Sequence, residues 1–248
     1  MSRLIRISVS YEGTDYHGWQ VQPGLATIQG TLEAVVAEIE GARTHVAGSG
    51  RTDAGVHALA QVAAFQLTNP IPVENLRRAM NRLLPRDIRV LTVEQAPDDF
   101  HPRFRAVAKT YEYRIWRGEV CPPFERRYVH HHPYPLDEES IFEFASLFEG
   151  EHDFSAFAAA DERDRTEPCK VRKIFSSMAV RREDLLVYRV RGSGFLKHMV
   201  RNLVGCLLEA GKGNVTREDL LARLKPGYPS PAGPTAPARG LFLISVEY

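Results

Sequence analysis

At 248 residues the chain is long enough for one large domain or two small ones, each able to bury a core. Its 32 lysines and arginines nearly cancel 31 aspartates and glutamates, so the formal net charge of +1 does not by itself point to a polyanionic partner. No apolar run is long enough to span a bilayer, the start MSRLIRISVS is not a signal-peptide core, and Cys121, Cys169 and Cys206 form no C-x-x-C pair, which together imply a cytoplasmic protein without structural zinc.

In chain order, Ile5, Ile7 and Val9 alternate with Arg6, Ser8 and Ser10, the period of a half-buried strand, and Ile28, Leu32, Val35, Val36 and Ile39 then recur at helical spacing after a Thr27 cap. His45 to Ala47 and Val56 to Leu67 read as strands, Pro72 to Leu84 as a helix with proline in its first turn, and Ile88 to Val93 as a further strand. A similar order follows: a strand from Val107 to Trp116, a helix from Asp137 to Phe148, strands from Val171 to Val180 and Leu186 to Arg191, a helix from Phe195 to Ala210 and a last strand from Leu241 to Tyr248. Two βαββαβ units of ferredoxin-like kind imply an α+β fold with mostly antiparallel sheets: lobes over 1–104 and 105–248, joined near Phe100 to Ala106, with a central cleft as the expected ligand site. The Pro- and Gly-rich stretch from Pro226 to Pro237 reads as an ordered surface loop. The consecutive His130, His131 and His132 cannot all face one ion and read as surface residues.

The run Gly48 to Ala58, GSGRTDAGVHA, carries the chemistry. Its glycines 48, 50 and 55 remove side chains that would hold a ligand off the backbone, while Asp53 offers a carboxylate and Arg51 a cation that would favour its charged form. The spelling fits neither a dinucleotide fingerprint nor a P-loop. Read alone, the cluster fits a glycine turn in which Asp53 merely caps backbone amides better than it fits an active-site loop. Arg51 and His57 are suited to binding phosphate or bracing the loop, and His57 is also a candidate proton shuttle.

Charge is segregated along the chain. Leu185 to Leu208 holds Arg189, Arg191, Lys197 and Arg201 and no acid, whereas Tyr128 to Glu162 has many acids and no lysine or arginine. One region is thereby suited to phosphates and another repels them. In the helix after Gly194, Lys197, Arg201 and Gly205 line up one turn apart, either as a solvated basic edge or as a row leaning into the cleft. Tyr111 and Tyr113 share a strand face, and their spacing alone suits core packing for both.

Six motifs besides the Gly48 to Ala58 loop bear on these alternatives: YEGTDYHGWQ (Tyr11 to Gln20), TIQGTLE (Thr27 to Glu33), KTYEYRI (Lys109 to Ile115), HDFSAF (His152 to Phe157), GFLKHMVRNLVG (Gly194 to Gly205) and APARGLFL (Ala236 to Leu243). The set resembles the tRNA pseudouridine synthase A family along nearly the whole chain, departing at Ser49, where alanine is common, and at Lys109, where arginine is common. The resemblance implies conversion of uridine to pseudouridine in the anticodon stem-loop of tRNA, with no cofactor or metal. It implies Asp53 as the catalytic carboxylate, Arg201 as its cationic partner, Tyr111 stacked on the target base and Leu241 supporting the uracil ring. It also implies a homodimer that binds tRNA across both subunits. Two rivals remain to be separated: an RNA-binding protein without catalysis, and a glycosidase that frees the base by hydrolysis, for which Asp53 has no second carboxylate in its loop.

Overall fold

The computed structural model describes residues 2–161, 169–228 and 233–248. The chain divides into two compact units, Met1–Val107 with Phe242–Tyr248, and Ala108–Leu241.

The first unit runs β1 (Arg3–Tyr11), α1 (Ile28–Glu40), β2 (Ala47–Gly48), β3 (His57–Leu67), α2 (Val73–Leu83) and β4 (Ile88–Gln95). Strand β1 lies between β4 and β3, antiparallel to both, and β2 adds to β3. The alternation in β1 has its expected consequence, since Ile5, Ile7 and Val9 are fully buried. Helix α1 starts where Thr27 accepts a hydrogen bond from the Gly30 amide at 3.3 Å, and it ends at Gly41 in the left-handed conformation. Its face of Ile28, Leu32, Val35 and Val36 is buried, and α2 buries Leu76 and Met80.

The second unit runs β5 (Ala108–Trp116), β6 (His130–His131), α3 (Glu138–Ser146), β7 (Gly150–Asp153), β8 (Val171–Arg182), β9 (Leu185–Gly192), α4 (Met199–Gly211) and α5 (Arg217–Arg223). Its strands are ordered β5-β9-β8-β7 in antiparallel pairs, with β6 parallel to β5. Helix α3 packs against α4 and β8. At that contact a Cβ on Gly211 would lie 2.8 Å from Ile141 Cδ1, so the glycine permits the close crossing.

The mixed α+β reading holds, with four differences in detail. The last strand, β10 (Leu241–Glu247), departs from the second repeat: Phe242 and Leu243 pair in parallel with His57 and Ala58 of β3, so the closing strand completes the first unit's ladder. Helix α4 begins at Met199, not Phe195, because His198 takes a left-handed backbone (φ 60) that no helix continues through. Lys197 therefore lies outside the row of Arg201 and Gly205. The histidine triplet is not a surface feature either: His132 is buried, His130 is half-buried between Tyr113 and His132, and the His130 Nδ1 is a buried atom with no hydrogen-bond partner among the described residues. Finally, β6, β7 and α5 are additional elements, and of the Pro226 to Pro237 loop residues 229–232 lie outside the described residues.

Candidate active site

In the first unit the Asp53 loop is built by contacts from the Tyr11 to Gln20 stretch. The Trp19 amide donates to the Thr52 carbonyl at 3.0 Å, the Gly55 amide to the Tyr16 carbonyl at 3.2 Å, and the Tyr11 and Thr52 hydroxyls meet at 2.8 Å. Burial pushes the Tyr11 phenol well above its usual range, the Thr52 bond partly offsetting it, so it stays a neutral hydrogen-bonding group at working pH. Three glycines make the approach close enough. A Cβ on Gly13 would lie 2.0 Å from the Val56 carbonyl oxygen, one on Gly18 2.6 Å from the Thr52 carbonyl oxygen, and one on Gly48 2.6 Å from the Trp19 ring. These are van der Waals overlaps no side chain tolerates, so glycine is a packing requirement at all three.

The other flank is held from β3. Ser49 is fully buried and its hydroxyl donates to Gln61 Oε1 at 2.6 Å, while Gln61 Nε2 donates to the Gly50 carbonyl at 3.1 Å. Inside the loop the Val56 amide donates to the Asp53 carbonyl at 3.1 Å, closing a turn whose Gly55 sits at φ 77. Asp53 itself is half-buried, so its carboxylate combines a fixed backbone with access from outside. His57 is buried, stacks on Phe242 with ring centres 4.7 Å apart, and accepts from the Gly13 amide through Nδ1 at 3.1 Å. That geometry makes it a brace. Arg51 is exposed, its Nε donating to Gln20 Oε1 at 3.1 Å.

In the second unit the remaining motifs interlock around α4. Asn202, buried, donates from Nδ2 to the Phe157 carbonyl at 2.7 Å, which docks the His152 to Phe157 stretch and its packed Phe154 and Phe157 rings onto the helix. On the next face, Arg201 Nε donates to the Ala236 carbonyl at 2.7 Å, the Ala236 amide donates back to the Arg201 carbonyl at 3.1 Å, and Thr235 donates to Asn202 Oδ1 at 2.6 Å. A Cβ on Gly205 would lie 1.7 Å from the Pro234 carbonyl oxygen. The bare position beside Arg201 thus seats a strap of backbone, residues 233–237, rather than opening a space. Arg201 is half-buried under that strap.

The strap continues through a 3-10 turn at Ala238–Gly240 into Leu241, which is buried. Tyr113 ties it to β5 by donating to the Pro237 carbonyl at 2.7 Å. The two tyrosines of β5 are thereby distinguished: Tyr113 is fully buried and structural, whereas Tyr111 keeps 8% exposure and meets Phe195 edge-on at 5.0 Å. Between them Glu112 binds Arg114 Nε at 2.9 Å and Arg189 at 2.7 Å. Burial alone would raise its carboxyl, but the two guanidiniums outweigh it and hold the group below the usual glutamate range. Two cations of the basic stretch singled out in the sequence are therefore already engaged or roofed over, Arg189 by Glu112 and Arg201 by the strap. Among the described residues no group of three or more His, Cys, Asp or Glu side chains could hold a metal ion.

The first unit thus carries a half-buried carboxylate on a backbone clamped from two sides, and the second carries a half-buried arginine under its strap, a tyrosine packed on Phe195 and a buried leucine. The protein family described as tRNA pseudouridine synthase matches residues 7–105 and 144–248. The tRNA pseudouridine synthase A of Solibacter usitatus is 65% identical over 246 residues, spanning 99% of this chain and 100% of that one. That of Latilactobacillus sakei subsp. sakei is 43% identical over the full length of both, and tRNA pseudouridine synthase A 1 of Desulfotalea psychrophila is 40% identical over 99% of this chain and 100% of that one. The chain belongs to the tRNA pseudouridine synthase family.

Proposed function

We propose that this isomerase converts uridine to pseudouridine in the anticodon stem-loop of tRNA, with Asp53 as the catalytic carboxylate. In that reaction the bond from N1 of uracil to C1′ of the ribose breaks and a bond from C5 to C1′ forms; the C5 proton leaves and N1 gains one. Substrate and product are isomers, so no electron, water or transferred group enters, and no redox carrier or metal is called for. The observation that carries the reading is the Asp53 loop, where contacts from Tyr11 to Gln20 and from Gln61 fix the backbone and leave the carboxylate accessible.

Asp53 serves as the nucleophile, or as the equivalent acid and base, with Arg201 as its cationic partner. Tyr111 stacks on the uracil and Leu241 supports the ring. A stacked uridine hides its reacting atoms, so the base must leave the helix, at a cost of a few kcal/mol that stacking and phosphate contacts offset; Arg51, exposed in the same loop as Asp53, is suited to such a contact. The same resemblance supports a homodimer sharing one tRNA, and the unpaired cysteines support a cytoplasmic location. Among the described residues no helix is long and apolar enough to cross a membrane.

Incubation of the protein with tRNA labelled with tritium at uridine C5 tests the reading. Release of tritium with no change in RNA mass is the expected result. Free uracil with an abasic tRNA would make the protein a hydrolase, and binding without release would make it a non-catalytic RNA-binding protein.

A further inference from the structure

Five arginines fall within residues 77–89: Arg77, Arg78, Arg82, Arg86 and Arg89. Where α2 lies along β4, four of them join Asn81, Val90 and Leu91 around an open groove of about 670 Å³. Strand β4 is the outer strand of its ladder, bonded to β1, so the groove lies at the margin of the first unit's sheet.

The groove is held by its own hydrogen bonds. Arg89 donates to the carbonyls of Pro85 at 2.5 Å and Ile88 at 2.6 Å, Arg77 donates to the Leu91 carbonyl at 3.2 Å, and Asn81 exchanges two bonds with Val90, at 2.8 and 2.9 Å. The one acid in the stretch, Asp87, accepts the Tyr16 hydroxyl at 2.8 Å. Arg78 and Arg82, one helical turn apart, are both exposed and engage no described carboxylate. With Glu74 the one acid on the same helix, four residues before Arg78, the arginines outnumber the acids around them, and like charges in such excess repel one another, a cost that a polyanion removes.

The groove also lies at the catalytic end of the sheet. Ile88, where β4 begins, is opposite Tyr11 on β1, and Tyr11 is opposite Ala58 on β3, shortly after Asp53. Two strand spacings amount to about 10 Å, and the Glu12 amide donates to the Asp87 carbonyl at 2.9 Å, tying the segment that clamps the Asp53 loop to the turn that carries Arg86. From this placement we infer that the α2–β4 groove grips the phosphodiester backbone of the RNA strand flanking the target uridine, with Arg78 and Arg82 as the contacting guanidiniums. The inference rests on the proposed function, deepening it by a binding surface that none of the six motifs contains.

The test is tRNA affinity of the full-length protein across a salt series, comparing wild type with Arg78→Ala/Arg82→Ala and with Arg78→Lys/Arg82→Lys. Loss of two phosphate contacts lowers the salt slope of log K by about 1.4 to 1.8 and weakens binding on the order of tenfold at moderate salt. The lysine pair restores most of the slope, which excludes a folding defect as the cause. An alanine pair with wild-type affinity and slope overturns the inference, as does an alanine pair that changes the oligomeric mass and not the affinity, which would assign the groove to a protein contact. Tritium release by the wild-type protein is followed in the same samples: its absence would count against the proposed reaction, whereas its presence beside an unaltered salt slope would count against the groove alone.

Discussion

Asp53 owes its position to glycines and aromatic residues much earlier in the chain, and that dependence gives the loop its own mutational signature. At Gly13 a methyl group would enter the Val56 carbonyl, 2.0 Å away. Gly13→Ala must therefore push the loop or the Tyr11 to Gln20 segment aside, and overpacking of this kind typically costs about 1–3 kcal/mol. Gly41 provides the comparison: it is left-handed, at φ 80, but a Cβ there would meet nothing within 4 Å, so Gly41→Ala costs roughly 1–2 kcal/mol of backbone strain and moves no site residue. Measured side by side, both variants melt earlier, but only Gly13→Ala should lose pseudouridine formation well below its melting temperature. Equal activity in the two would mean that the clamp does not position Asp53.

At the scale of elements, legibility followed length. Strand β1 and helices α1 and α2 span enough residues for a period to show, and their apolar faces are the buried ones; β3 and β5 are long enough to read as strands although burial does not alternate along them. Strands β6 and β7, of 2 and 4 residues, are too short to carry a period. Helix α5 is different, because its capping box, Thr216 with Asp219, is a signal that the sequence carries. Within the candidate site the residue types were legible and their neighbours were not. Nothing in the spacing of Arg201 and Gly205 shows that residues 233–237 cover them, and nothing in HHH shows that Tyr113 and His132 enclose His130.

That enclosure makes a pH prediction. Burial, aided by the positive charge of His132, Arg239, Lys212 and His131, pushes the His130 imidazole down to about 4. Between that value and about 6.5, the ordinary histidine value, the unfolded chain binds a proton the folded chain excludes. Stability therefore falls as pH drops from about 6.5 towards 4, and this group contributes no pH dependence above that window. His130→Phe removes the titrating group and its unpaired nitrogen, so the drop in melting temperature between pH 7 and pH 4.5 should be smaller than in wild type. Parallel curves for the two proteins would show that His130 titrates normally in the folded state.

At the scale of the whole molecule, chain order and spatial order differ where it matters for function. The last strand returns to pair with β3 directly after the Asp53 loop, and Phe242 at its start stacks on His57. The stretch that covers Arg201 therefore runs straight into a strand that braces the Asp53 loop, linking the motifs of the C-terminal half to those of the N-terminal half through continuous chain. A repeat of two self-contained halves would not provide that link, and the pattern of apolar residues in Leu241 to Tyr248 is compatible with either partner, so only the hydrogen bonds decide it. The proposed chemistry concentrates on one carboxylate, and the substitution that removes its charge with almost no change in shape isolates it. For Asp53→Asn, release of tritium from C5-labelled uridine in tRNA should fall to background while tRNA affinity stays close to wild type; release at the wild-type rate would contradict a catalytic role for Asp53.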